Sequence, residues 1–160
     1  MRSTSTKPSQ PKDECVRLLV GLHELIAKGE GDGDEADAVR DAMDVPWQRL
    51  SDAQQSLVED LSADLYTLQD DDVIRHPMKA GVLSQRVADE LSRADAAGDH
   101  RAALAILRKY AAEISAGHAA ELRALLYERI GLPSVARLFH RRAEELGQTQ
   151  SPAAVKYFLG

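Results

Sequence analysis

One cysteine, Cys15, occurs in 160 residues. No intrachain disulfide can form, so packing, hydrogen bonds and charge must hold the fold, and such usage fits a reducing cytoplasm. Aromatic residues are scarce, with one Trp, two Phe and four Tyr. Ala and Leu supply the packing, and that favours helices, because strands draw on aromatic and β-branched side chains. No run of about 18 apolar residues exists, so no span and no membrane partner is expected. The first residues, MRSTSTKPSQPK, have no hydrophobic core and so do not read as a secretory signal. The expected location is cytoplasmic.

Recognisable chemistry is missing as well. The five histidines are His23, His76, His100, His118 and His140. No two stand at the i, i+4 spacing of a zinc-binding helix, and there is no HExxH. The acidic run Glu30–Asp37, EGDGDEAD, fails as a calcium loop in both registers tried. The sixth position must be Gly and the twelfth Glu; counted from Asp32 they are Asp37 and Met43, and from Glu30 they are Glu35 and Asp41. The run reads instead as a solvated loop and an acidic helix start. Cys15 falls on an apolar helix face, where a buried, inert thiol is the plainer reading. No strand precedes a Gly-rich stretch, so no phosphate cradle is indicated. No catalytic residue, metal ligand or cofactor is therefore assigned, and a non-enzymatic protein is expected.

What is present is helical periodicity. Residues 1–12 have almost nothing to bury and are expected to form a disordered tail. Helix one, about Asp13–Lys28, carries Cys15, Leu18, Leu19, Leu22, Leu25 and Ile26 on one stripe. A second helix, about Asp34–Asp44, would use Ala38, Val39, Ala42 and Met43 and stop at Val45-Pro46. Trp47 and Leu50 would plug the space between helices. Ser51-Asp52-Ala53-Gln54 is a capping box opening a helix to Leu68 along Leu57, Leu61, Leu65 and Leu68. Residues 70–81 show no apolar stripe and read as a linker. The expected organisation is a helical subdomain over 13–69, then hairpin helices over 82–160, ending in a short capping helix from Ser151-Pro152.

The second half is organised around Glu121–Leu146. Leu122, Leu125, Leu126 and Ile130 form one helix face; Gly131 suits a helix end, and Pro133 suits the first turn of the next helix. That helix presents Val135, Ala136, Phe139, Ala143 and Leu146. The pattern recurs 33 residues earlier: Gly98 aligns with Gly131, Ala103 with Ala136 and Ile106 with Phe139. Such a period signals stacked helical hairpins.

On these residues the stretch 83–147 resembles the tetratricopeptide repeat family. The second hairpin offers Tyr127, Gly131, Ala136, His140 and Ala143; the first offers Ala94, Gly98, Ala103, Leu107 and Tyr110. It departs from the family at the early Trp position, which reads Val87 and Ala120, and in lacking the closing Pro. The resemblance implies an all-α fold of antiparallel helical hairpins stacked as a short array behind about three front helices. The front stretch is similar to a segment of uncharacterised bacterial proteins, which implies no function.

Charge is unevenly spread. Asp13–Asp99 holds 21 acidic and 8 basic residues, whereas Arg101–Gly147 holds 8 basic and 5 acidic. A basic half can meet an acidic partner. The expected function is thus a protein–protein interaction or scaffold module that binds another protein or peptide, with Arg108, Arg137, Arg141 and Arg142 as its contacts. The alternative is a nucleic-acid-associated regulator built on a helix-turn-helix. That motif wants a small residue four before the turn glycine and an aliphatic one six after it. Here they are Tyr127 and Arg137, so nucleic acid is the less favoured partner.

Overall fold

The computed structural model describes residues 10–69 and 83–146. Every regular element among them is helical, and no strand occurs there. The chain divides into two units, residues 1–69 and 70–160. The expected linker at 70–81 and the expected helix from Ser151 lie outside the described residues.

In the first unit, α1 spans Pro11–Ala27, α2 spans Asp34–Gln48 and α3 spans Asp52–Tyr66, followed by a 3₁₀ turn at Thr67–Gln69. Helix α1 starts before the expected Asp13, inside the segment read as tail. Pro11 occupies the first helical turn, where its fixed φ is pre-organised and its missing N–H costs nothing, and Asp13 and Glu14 complement the helix dipole. The apolar stripe buries Cys15, Leu19, Leu22 and Leu25 as expected, together with Val16 and His23. Leu22, Leu25 and Ile26 pack against Ala36 and Val39 of α2.

Helix α2 corrects two expectations. It does not stop at Val45-Pro46 but runs on to Gln48. Pro46 lies in the last turn, where its ring forfeits only one intrahelical bond, and it is buried. The helix still closes with Arg49 N–H donating to the Pro46 carbonyl at 3.1 Å. The inward face is Ala36, Val39, Met43 and Pro46, whereas Ala38 and Ala42 are exposed. Alanine fits either face, so its presence does not fix the phase of a helix. Of the two proposed plugs, Leu50 is buried and Trp47 half-buried.

The capping box of α3 forms as expected: Gln54 N–H donates to Ser51 Oγ at 3.2 Å, and Ser51 N–H donates to Gln54 Oε1 at 3.1 Å. Leu61 and Leu65 are fully buried, while Leu57 and Leu68 at the ends of the stripe are half-buried. The α-helix ends at Tyr66, short of Leu68, because the backbone tightens into the 3₁₀ turn; there Thr67 Oγ1 donates to the Asp64 carbonyl at 2.6 Å.

In the second unit, α4 spans Gln85–Ala96, α5 His100–Lys109, α6 Ala116–Ile130 and α7 Pro133–Glu145, with a 3₁₀ turn at Ala111–Glu113. The side chains of Ser84, Asp99 and Ser115 cap α4, α5 and α6 by accepting a backbone N–H, and α7 opens on Pro133 instead. Packing joins α4 with α5, α5 with α6 and, most extensively, α6 with α7.

Two turns in this unit are built alike. Gly98 has φ +66° and Gly131 φ +92°, left-handed values that favour glycine. The residue after each glycine closes the preceding helix with a six-residue bond: Asp99 N–H to the Ala94 carbonyl at 3.0 Å, and Leu132 N–H to the Tyr127 carbonyl at 2.9 Å. All three positions repeat at an offset of 33 residues. Helix α6 is enclosed on nearly every side: ten of its residues, from Gly117 to Tyr127, are buried, including His118, Glu121 and Arg123. Tyr127 and Phe139, both fully buried, stack with centroids 5.6 Å apart and planes 8° from parallel, filling the α6–α7 junction.

Candidate interaction surface

The α6–α7 turn fixes which side of α7 faces outward. Val135, Ala136, Phe139 and Ala143 face the core. Arg137 and Arg141, one turn apart, therefore share the opposite side, and both are exposed. Arg137 Nε donates only to the carbonyl of Pro133 in its own helix, at 3.5 Å. Arg141 makes no hydrogen bond or ion pair among the described residues.

The other two arginines expected at the surface are placed differently. Arg142 lies beside the core edge, its side chain 11% exposed, and pairs with Glu145 at 3.4 Å. Arg108 is half-buried on α5 and already interacts within the chain. The four residues thus do not form one row; two of them do. Glu144 is exposed one turn beyond Arg141, so the face changes sign towards the end of the helix.

A second charged group joins α4 to α5, and none of its members was singled out from the sequence as a binding residue. Tyr110, nearly buried, donates its hydroxyl to Glu90 Oε1 at 2.6 Å. Lys109 Nζ lies 3.8 Å from the same carboxylate and 4.9 Å from the Tyr110 ring centroid; the Arg86 guanidinium lies 5.3 Å from that centroid. The Tyr110 hydroxyl first, then Lys109, Arg86 and Arg93, hold Glu90 below its ordinary carboxylate value. Tyr110, with Glu90, also pushes Lys109 up. Glu90 and Tyr110 stand 20 residues apart, a separation with no local signature. Asp95 and Arg129, ion-paired at 2.7 Å and about three-quarters buried, link α4 to α6 in the same hidden way.

Arg40 donates to the Gly31 carbonyl at 2.8 Å and pairs with Asp37 at 3.0 Å, so a guanidinium takes up two oxygens of the acidic run. Cys15 is fully buried, and burial pushes its thiol up, away from the nucleophilic form. His100 and His118 lie in the first turns of α5 and α6, and His140 is half-buried on α7. Among the described residues no three His, Cys, Asp or Glu side chains converge as a metal would need, and no helix is long and apolar enough to cross a membrane. Comparison with protein-family models, with curated proteins and with solved structures finds no match to this chain.

Proposed function

We propose that α4–α7 are two stacked tetratricopeptide-like hairpins acting as a non-enzymatic protein-interaction module. The observation that supports this reading is the 33-residue offset between the turns at Gly98 and Gly131, each with the same closing bond; Gly29 at the end of α1 closes alike but lies outside that repeat. Helical hairpins in series present extended surfaces for a peptide or helix. The exposed Arg137–Arg141 edge supplies the polarity of the contact. Two guanidiniums one turn apart suit carboxylates about 6 Å apart along a partner helix, given a rise of about 1.5 Å per residue. Packing at the α6–α7 junction argues against a nucleic-acid helix-turn-helix, because the buried Tyr127 ring stands where that motif needs a small residue.

The test is capture from native lysate by wild type and by Arg137→Glu/Arg141→Glu, each with and without nuclease. An exposed ion pair contributes about 0.2–1 kcal/mol. Turning two attractions into repulsions should weaken the complex roughly tenfold. A partner retained through nuclease and lost from the reversed variant supports the reading. Yield indifferent to the reversal would remove the arginine edge, and yield abolished by nuclease would turn the reading to nucleic acid.

A further inference from the structure

His23 is a buried histidine without a full set of partners. It lies on α1 and is 2% exposed. The end of α3 and the turn after it close over the ring. Tyr66 meets the imidazole edge-on, with centroids 4.7 Å apart and planes at 78°. The Gln69 side-chain oxygen lies 3.4 Å from His23 Nδ1. An amide oxygen can only accept, so with that pairing the neutral ring carries its hydrogen on Nδ1. Nε2 is then a bare lone pair, buried and with no partner among the described residues. A second proton has to go there, where it would create a buried charge and a donor facing no acceptor.

Among the described residues, no charged group is seen to offset that cost. On α1, Arg17 and Glu24 are exposed and Cys15 is a buried thiol. Helix α2 meets α1 through Ala36 and Val39, and its carboxylates at Asp34, Glu35, Asp37, Asp41 and Asp44 are exposed. Helix α3 brings the Tyr66 ring and Asp64, which is buried and has interactions of its own; Glu59 is exposed and Asp60 is half-buried and engaged. Burial pushes the imidazole below its ordinary value, and the Gln69 contact opposes this only in part.

We propose that His23 is an acid-sensitive latch whose protonation releases Tyr66 and the Thr67–Gln69 turn from α1. The direction follows from linkage. Above about pH 6.5 the ring is neutral whether latched or released, and pH has no hold on it. Below that value the released state takes up a proton that the latched state refuses, so release grows as pH falls, until the lowered value of the latched ring is passed.

The experiment is backbone hydrogen exchange on the full chain, corrected for intrinsic rates. Exchange at Thr67, Leu68 and Gln69 should quicken by up to ~30-fold between about pH 7.5 and about pH 5, the most that a group with an ordinary value near 6.5 can deliver. His23→Phe keeps an edge for Tyr66 and removes the proton site, so its exchange should stay flat; His23→Gln serves if Phe does not fold. The latch is overturned if the quickening is no greater than at Val58–Leu61, or if it persists in the variant. A midpoint for the His23 ring at or above about 6.5 in a wild-type nuclear magnetic resonance titration would overturn it too.

Discussion

Phe139 is the side chain whose loss should cost the second unit most. It is fully buried and stacked on Tyr127 across the α6–α7 junction. Phe139→Ala removes a ring and leaves a cavity between two helices held by a two-residue turn, so relaxation into the space is limited. Large-to-small changes of this kind cost about 3–5 kcal/mol. A whole domain is stable by only about 5–15 kcal/mol, so the variant should lie near the edge of folding. With a urea slope of about 1–3 kcal/mol/M, the midpoint should fall by roughly 2 M. Phe139→Leu separates the causes: it keeps most of the apolar volume and loses the stack, worth about 0.5–1.5 kcal/mol. Urea unfolding followed by far-ultraviolet circular dichroism reads both. A loss below about 1.5 kcal/mol for the alanine variant would mean that the ring is not packed as described. Equal losses for the two variants would mean that shape rather than volume dominates the site.

Three further outcomes are expected. Ser51→Ala should lose about 1 kcal/mol by thermal or chemical unfolding, and pairing it with Gln54→Ala should lose less than the sum of the two, since each side chain satisfies the other residue's backbone. Two glycine-to-alanine changes should go in opposite directions: Gly131→Ala, in open space but at φ +92°, should cost about 1–2 kcal/mol through backbone strain, whereas Gly21→Ala, inside α1 with nothing near its added carbon, should gain up to about 1 kcal/mol. Cys15 should resist a thiol reagent in the native protein and react only on denaturation, and fast labelling near neutral pH would contradict its full burial.

The all-helical fold was legible because its signals are local. Ser51 and Gln54 stand three residues apart and satisfy each other; Gly131 and Pro133 frame a turn that their own backbone preferences dictate. The first unit was harder at α2. Proline normally bars the α region for the residue before it, yet near a helix end the penalty is one lost bond, and burial of the ring offsets it. Alanine at 36, 38 and 42 gave no phase, and the inward face was settled by what Leu22 and Leu25 required. The arginine surface was half legible. Arg137 and Arg141 lie on the outer face that helical period predicts, but whether Arg142 finds Glu145, or Arg108 a partner, depends on side-chain reach that spacing does not encode. Tyr110 with Glu90, and Asp95 with Arg129, were invisible because their members meet only after the helices pack.

The enclosure of α6 bears on how this chain can drift over generations. A helix buried on nearly all sides has almost no position where a substitution goes unnoticed, and its interior Glu121 and Arg123 accept fewer replacements still. The outer faces of α2 and α7 carry no such restraint. Descendants of this chain should therefore keep the AGHAAELRALLY segment recognisable long after their surfaces have diverged, and kinship with distant proteins is better sought there than along the arginine edge.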